Sequence, residues 1–416
     1  MRHLVLFISI LLGALCFPHM IQAGGFQLYL MGHRQLGMGL AATGQALDAS
    51  AGYFNPGALS FVPRRANILF GGAAVRPLTS FRPVNRQDTL VRVDTVILSP
   101  IYLHSSWQAP KRGRLAGLAL GLSITNPYSV TTRWPDDWAG KLISQEFTIS
   151  TLHIQGTLSY RLHERLGLGF GLIYAAGNLL SRRALAVDGP NDSEGTAQFT
   201  GTGAGLGFSA GIYLKPSSNT ALGLTYRHHI DLPIDSGRAS FSVPSSLQDQ
   251  YPAQAFYTLV PLPKEINLGF SYQPQEQLLL SFEVQWVGWS RLDSLTYAFP
   301  ETIRNLPLYP ERAYRNTFTV RVGGEYRSSE RVQIRAGAYY DASPIPRLRL
   351  SPELPDATAI GLSTGLGLRL IGGLSLDASL VYEYTGDRTD SFSAAAFSGV
   401  YRSTQLSFGL GLGYQF

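Results

Sequence analysis

Large apolar and very small side chains alternate without interruption over the last eleven positions of the chain. The apolar series is Leu406, Phe408, Leu410, Leu412, Tyr414 and Phe416, and the intervening series is Ser407, Gly409, Gly411, Gly413 and Gln415. Alternate side chains of a β-strand point to opposite faces. One face is therefore apolar and ends in two aromatic rings, which suits lipid. The glycine-rich face, which lacks the charge of a water-exposed strand, suits the lumen of a barrel.

The same two-residue period recurs along the chain. It is found at 118–125, 166–174, 266–272, 318–323, 360–370 and 374–384. The period, the segment length and the weak signal of each segment are typical of a transmembrane β-barrel. Short connectors such as 163–165 alternate with long ones such as 127–144, 181–195 and 243–263. We therefore predict an all-β fold: a transmembrane antiparallel β-barrel of about fourteen strands, with short periplasmic turns and long external loops.

Residues 1–23 have the features of a secretory signal peptide. A basic start is followed by an apolar run at 4–17, and the small residue Ala23 precedes the predicted cleavage site. A membrane anchor is the alternative, but the apolar run is too short to span a bilayer. Cys16 is the only cysteine, so the mature chain would contain no disulfide and no thiolate metal ligand. A closed, hydrogen-bonded barrel would supply the missing stability.

The amino-acid composition excludes some classes of protein function for this chain. Glycine makes up 44 of 416 residues and charged residues only 15%, below the ~25% of soluble domains. No other stretch reaches the ~18 apolar residues of a membrane helix. The net charge is +6, and no basic run contains interleaved aromatic residues, so we expect no nucleic-acid partner.

The segment 24–65 does not alternate. It is rich in small residues, and Asp48, Asn55 and Pro56 are turn or cap signals. A barrel of about fourteen strands has a lumen too wide for its own side chains to fill. We predict that 24–65 folds back as an N-terminal hatch, or plug, inside the lumen of a barrel formed by 66–416. A disordered periplasmic extension is the alternative, but the apolar content of the segment argues against it.

Several motifs, in their order and spacing, resemble the FadL/TodX family of outer-membrane transporters for long-chain fatty acids and other hydrophobic compounds. The resemblance extends over nearly the whole mature chain. Its motifs are GFQL at 25–28, LGMG at 36–39, AGYFNPGAL at 51–59, NPYS at 126–129, WPDDWAGK at 134–141, PLP at 261–263, WVGWS at 286–290, RAGAYYD at 335–341, SPIP at 343–346 and LPD at 354–356.

The resemblance implies a fourteen-stranded barrel in the outer membrane of a Gram-negative bacterium, closed by a hatch. It implies passive transport: external loops capture a hydrophobic ligand, which moves to a pocket beside the hatch and leaves sideways through the barrel wall into the membrane. The family's Asn-Pro-Ala gating motif corresponds to Asn55, Pro56 and Gly57, and glycine at the third position departs from it. The terminal Phe416 resembles the signal read by the barrel assembly machinery. We expect a monomer without cofactors, surrounded by outer-membrane lipid.

Candidate ligand contacts follow from charge and from the resemblance. Arg321, Arg335 and Arg369 lie on predicted lumen faces and could bind a carboxylate head group; pairing with Glu325, Asp341, Asp377 and Glu383 is the alternative. Phe26 is a ligand contact by resemblance, against plain packing in the hatch. Trp134 and Trp138 would present aromatic rings to the ligand from an amphipathic helix, or anchor the loop at the lipid head groups. Trp286 would join the aromatic girdle, and Trp289 would point inward.

Two other functions remain open. A lipid hydrolase of the outer membrane is one, but no Gly-x-Ser-x-Gly elbow precedes a helix, and we nominate no catalytic or metal-ligating residue. The adjacent His228 and His229 would point to opposite faces of a strand, where they could not share a metal. A general diffusion porin is the other, and it would need a charged constriction without a hatch.

Overall fold

The computed structural model describes residues 24–84, 89–187, 194–301, 306 and 308–416; the predicted signal peptide lies outside this part of the chain. Nineteen strand segments are described. They are β1 Ala66–Pro83, β2 Val91–Arg92, β3 Ile101–Gln108, β4 Leu118–Thr125, β5 Ser129–Arg133, β6 Glu146–His163, β7 Leu166–Ala186, β8 Glu194–Ser217, β9 Thr220–Arg227, β10 Ile230–Ser242, β11 Gln254–Leu262, β12 Glu265–Gln275, β13 Leu278–Val287, β14 Thr317–Arg327, β15 Val332–Asp341, β16 Ala359–Arg369, β17 Leu374–Thr385, β18 Arg388–Phe392 and β19 Phe397–Gln415.

These segments form one closed antiparallel barrel of fourteen strands. Five barrel strands are each interrupted and contain two segments, namely β2–β3, β4–β5, β9–β10, β11–β12 and β17–β18. β1 pairs with β19 from Asn67↔Gln415 to Pro83↔Gly399, which closes the sheet. The predicted barrel and its strand number are confirmed.

The two faces of the wall follow the sequence alternation. Apolar side chains that point outward are exposed, including Phe70, Leu172, Leu268, Leu362 and Phe408, as a lipid-facing belt requires. Short turns connect the strands at one end of the barrel and longer segments connect them at the other, which we call the long-loop end. No helix in the described ranges is long and apolar enough to cross a membrane.

Strand bounds differ from the prediction mainly at the long-loop end. β7 and β8 extend into the region predicted as a loop, and β11 lies within the predicted loop 243–263. These extensions have buried inner side chains such as Phe199 and Phe256. A second apolar core therefore stabilises strand pairing beyond the membrane belt. The local alternation of the sequence did not distinguish these strand extensions from loops.

Residues 24–65, which we call the luminal segment, lie inside the barrel, and β1 begins directly after them. The segment contains α1 His33–Leu36, α2 Ala51–Phe54 and a 3-10 helix at Pro56–Phe61. Wall side chains bind its backbone: Glu283 Oε2 accepts hydrogen bonds from the N–H groups of Ala42 and Thr43 at 3.0 and 2.8 Å. Other short 3-10 helices are at Ser245–Gln250, Trp289–Arg291, Ile371–Gly373 and Ser393–Ala395.

The glycine face of the wall is where the luminal segment makes its closest approach. A Cβ built on Gly223 would overlap the carbonyl group of Thr43, and one on Gly337 would overlap the backbone of Gly39. Any larger residue at either position would push the two backbones apart. The glycine alternation in the sequence thus reflects an occupied lumen as much as a membrane-spanning wall.

Candidate functional site

The third barrel strand is broken between β4 and β5. Asn126, Pro127 and Tyr128 face only two residues of β6 there, because the pairing passes from Thr125↔His153 to Ser129↔Ser150. Pro127 has no N–H group to donate to a neighbouring strand. The break therefore leaves part of the wall without regular strand pairing.

The start of the luminal segment covers this break from the inside. The N–H of Leu28 donates to the carbonyl of Pro127 at 2.8 Å, and the N–H of Ser129 donates to that of Phe26 at 3.1 Å. Gln27 and Tyr128 form an antiparallel bridge, and both side chains donate to Glu265 Oε1. These contacts make residues 26–28 a short extra strand on the inner edge of the wall.

Phe26 lies where the luminal segment meets the long-loop end. Its side chain is 2% exposed, and its ring contacts those of Trp289 and Tyr128 edge-on at centroid distances of 5.0 and 5.9 Å. Trp289 lies inside the barrel as expected from its position past the strand phase, whereas Trp286 shares the outer face of β13. Phe26 thus occupies the lower boundary of a large buried apolar cluster.

This apolar cluster fills the long-loop end above Phe26 and includes Phe81, Phe147, Phe199, Phe256, Leu292, Ile345 and Leu354. Trp134 and Trp138 belong to it and stack on each other at 4.3 Å. Both indoles are buried and donate to backbone carbonyls, of Pro352 at 2.9 Å and Ser144 at 2.7 Å. Residues 135–144 form turns where we expected an amphipathic helix, and in this conformation neither ring faces the head groups.

A cavity of about 150 Å³ lies beneath the cluster and beside the luminal segment. Residues 24–30 form one side, and β1, β5, β15, β17, β19 and the loop 354–357 form the rest. Apolar side chains contribute a continuous patch, among them Leu28, Leu36, Leu98 and Val381. The cavity therefore adjoins both the luminal segment and the broken third strand, since residues 129–132 of β5 lie along it.

The polar lining of this cavity is acidic. Asp341 accepts hydrogen bonds from Thr319 at 2.6 Å and from Tyr29 at 3.0 Å, and Glu383 accepts one from Tyr339 at 2.7 Å. Asp356 accepts one from Ser343. Among the described lining residues there is no lysine, arginine or histidine. Hydroxyl groups thus hold these carboxylates in place of cations.

Arg321 and Arg335 lie elsewhere in the lumen, in contact with acidic side chains. Arg321 donates to Glu283 at 3.1 Å and to Gln285 at 2.6 Å, and its guanidinium lies over the ring of Tyr29. Arg335 donates to Glu325 at 2.7 Å and to Asp377 at 2.5 Å. Neither side chain lines the cavity.

Arg335 is part of an ion-pair network that joins the luminal segment to the wall. Arg34, from α1, binds both oxygens of Glu325 at 2.8 and 2.6 Å, so Glu325 lies between two guanidinium groups. Removing one partner of such a buried set leaves uncompensated charge, which is strongly destabilising. Arg369, the third predicted candidate, is exposed at the end of β16 and lies outside this network.

Asn55, Pro56 and Gly57 anchor the luminal segment at the short-turn side of the cavity. Asn55 Oδ1 accepts a hydrogen bond from Gly57 N at 3.0 Å and so caps the 3-10 helix, while its Nδ2 donates to Thr43 O at 2.9 Å and to Ile212 O of β8 at 3.0 Å. Pro56 occupies the first helical position, where its missing N–H costs nothing. Asn55 is fully buried, so one side chain ties two parts of the segment to the wall.

In the described part of the chain, the histidines belong to no cluster of three or more potential metal ligands. His228 and His229 do not point to opposite faces as expected, because they lie in the interruption between β9 and β10, with ring centroids 4.0 Å apart. Two other histidines are buried between the luminal segment and the wall: His33, in the segment, contacts Gly72 O of β1, and His104, in β3, contacts Met31 O of the segment.

Sequence reasoning missed the role of Tyr29, Tyr339 and Asp356 in the cavity and assigned Asp341 and Glu383 to arginine partners. Their positions in β15, β17, a loop and the luminal segment are far apart in sequence. The family resemblance marked three of them, Tyr339 and Asp341 in the motif at 335–341 and Asp356 in the Leu-Pro-Asp motif at 354–356, but it did not indicate that they meet.

Comparison with known proteins agrees with this architecture. A family model described as "Outer membrane protein transport protein (OMPP1/FadL/TodX)" matches residues 14–416. The "Long-chain fatty acid transport protein" of Salmonella typhi is 23% identical over 389 residues, which cover 86% of this chain and 87% of the relative.

Two solved structures share the fold. The crystal structure of a Pseudomonas aeruginosa FadL homologue gives a TM-score of 0.80 at 20% identity, covering 94% of this chain and all of that one. The Pseudomonas putida toluene transporter TodX gives 0.71 at 14% identity, covering 95% and 99%. The chain therefore belongs to the OMPP1/FadL/TodX family of non-enzymatic transport proteins of the Gram-negative outer membrane.

Proposed function

We propose that this protein carries hydrophobic molecules, such as long-chain fatty acids or aromatic hydrocarbons, passively from the outside into the outer membrane. The ligand enters through the long loops, reaches the cavity when the luminal segment moves, and leaves sideways through the broken third strand. The luminal segment acts as the hatch. The observation that carries the proposal is a single cavity with an apolar patch that adjoins both the luminal segment and β5, which follows the break.

Physical chemistry favours this route over an aqueous pore. Burying one methylene group is favourable by about 0.8 kcal/mol. Transferring an acyl chain of sixteen carbons into water would therefore cost roughly 12 kcal/mol of free energy. The cluster above Phe26 and the patch of Leu28, Leu36 and Val381 provide apolar contact on the way to the wall. The names of the relatives, a fatty acid transport protein and a toluene transporter, support both substrate classes.

Uptake in cells tests the transport itself. Bacteria lacking their own transporter, supplied with this protein, should take up labelled oleate or toluene faster than cells with an empty vector. A correctly inserted, heat-resistant barrel that restores no uptake of either compound would contradict the proposal. Swelling of liposomes in sugar solutions would instead support a diffusion porin, and release of fatty acid from phospholipid would support a hydrolase.

A reversible disulfide tests the lateral exit. Gln27 and Tyr128 are a pair between two flanking hydrogen bonds, the close pairing of an antiparallel ladder, which suits a disulfide. In the variant Gln27→Cys/Tyr128→Cys, oxidation should abolish uptake and a reductant should restore it. The single variants are the controls, because the mature chain would contain no other cysteine. Unchanged uptake by fully cross-linked protein would exclude movement of residues 26–28 from the wall.

A further inference from the structure

The charge of the cavity determines which head group it can accept. Three carboxylates, of Asp341, Asp356 and Glu383, lie on its lining, and no cationic side chain is present among the described residues there. Burial, together with the carboxylates of Asp341 and Glu383, raises the pKa of Asp356 well above its usual range. The same causes would disfavour a ligand carboxylate, which would bring a further negative charge into this poorly solvated space.

The cations around the cavity have other hydrogen-bond acceptors. Arg321 donates to Glu283 and Gln285. Arg388 donates to Asp390 at 2.7 Å and to the backbone carbonyl of Asp356 at 3.1 Å, so its charge lies near the Asp356 carboxyl without a hydrogen bond to it. If the signal peptide is removed after Ala23 as predicted, the ammonium of Gly24 adds one positive charge next to Asp341, which already accepts a hydrogen bond from the Gly24 N–H. Asp356 and Glu383 would still have no cationic partner on the lining.

The same carboxylates can accept hydrogen bonds. The hydrogen bond from Ser343 goes to Oδ2 of Asp356, and the one from Tyr339 goes to Oε2 of Glu383. The second oxygen of each receives no hydrogen bond from the described residues, and both residues are half-buried. An incoming hydroxyl group could donate to either oxygen while its alkyl chain contacts Leu28, Leu36 and Val381.

We propose that this cavity selects uncharged hydrophobic molecules, with a hydroxyl head group as the best fit, and discriminates against carboxylate anions. The inference rests on the proposed transport function and narrows its substrate class. A fatty acid would enter in its protonated form, and an aromatic alcohol or a long-chain alcohol would enter directly.

Binding of a matched pair of probes tests this selectivity. The full-length processed protein, in lipid nanodiscs at pH 8, is titrated with 1-octanol and with octanoate, and binding is followed by calorimetry. We expect 1-octanol to bind at least ~10-fold more tightly. Octanoate binding as tightly as 1-octanol, or more tightly, would overturn the inference and leave the transport function standing. Absence of binding by both probes, together with absence of uptake in cells, would overturn both.

Charge-removing variants test the cause. Glu383→Gln keeps an oxygen for the Tyr339 hydroxyl, and Asp356→Asn keeps one for Ser343. Each should raise octanoate affinity several-fold and change 1-octanol affinity less than about twofold. Glu276→Gln, in the exposed turn after β12, is the matched control and should change neither. Unchanged octanoate affinity in both cavity variants, with the barrel still heat-resistant, would show that the carboxylates do not set selectivity.

Discussion

At the scale of single residues, Gly57 shows how tightly the hatch is fitted to the wall. The family resemblance implies alanine at this position, but a Cβ here would come within 2.7 Å of Gly211 O and 2.8 Å of Gly167 O. Real Cβ atoms do not approach carbonyl oxygens so closely, and both contacts are with backbone. In this chain, the glycine therefore allows the 3-10 helix after Asn55 to lie directly against β7 and β8.

Restoring the family's residue should loosen the hatch. Gly57→Ala should push the 3-10 helix from the wall at a cost of roughly 1–3 kcal/mol, as overpacking does, and so raise the ionic conductance of single barrels in planar bilayers. Gly386→Ala is the control, because a Cβ there has no neighbour within 4 Å. Equal conductance of the Gly57→Ala and Gly386→Ala variants would mean that the wall adapts to the extra methyl group.

At the scale of elements, the strands serve two partners at once. Their outer residues contact lipid, and the glycines of their inner face allow the hatch backbone to lie against the sheet. Gly223 of β9 and Gly337 of β15 contact different parts of the hatch, around Thr43 and Gly39. The hatch is thus held by several strands, so that a substitution on any one of them should disturb docking without unfolding the barrel.

A pair of glycine variants separates these two roles. Gly223→Ala should displace the hatch near Thr43, whereas Gly156→Ala, where a Cβ would meet nothing within 4 Å, should have no effect. Cleavage by trypsin after Arg34 reports docking, since the bidentate pair with Glu325 holds this side chain when the hatch is in place. Equally slow cleavage of the two variants would refute the idea that the glycine face is needed for docking.

At the scale of the whole molecule, the hatch is held in the barrel mainly by hydrogen bonds between groups removed from water. His33 is a titratable example: its Nδ1 contacts Ser379 Oγ at 2.8 Å and its Nε2 contacts Gly72 O at 3.0 Å. Burial lowers the pKa of His33 to about 4. Because the docked pKa lies below the ordinary value of about 6.5, the docked state prefers the neutral ring.

The sign of the pH effect follows from this difference. The contribution of His33 to the free energy of docking is complete above about pH 6.5. It decreases by up to about 3 kcal/mol as the pH falls towards 4. The conductance of single barrels should therefore increase as the pH is lowered from 7 to 4.5. His33→Gln, which cannot titrate, should reduce this rise. A wild-type barrel with the same conductance throughout this range would contradict the prediction.

Local alternation was sufficient to predict the barrel, its strand number and the contrast between its faces, because the two-residue period of a strand is a local property. The position of Trp289 inside the barrel was expected from the same phase. The burial of Trp134 and Trp138, and the close pair His228–His229, were not expected. They depend on loop turns and on a strand interruption, where the local period no longer applies.

The sequence by itself determined a closed membrane barrel with a small-residue inner face and an N-terminal segment available to occupy it. Only the tertiary structure decided which charges meet inside. Arg335 lies between Glu325 and Asp377, Arg321 contacts Glu283, and Asp341, Asp356 and Glu383 line the cavity without a cationic side chain among the described residues. The physical reason is that side-chain direction follows from local backbone geometry. The partner of a buried charge depends instead on strand register, which joins Arg321 to Glu283, 38 positions away, and on the path of the hatch, which joins Arg34 to Glu325, 291 positions away.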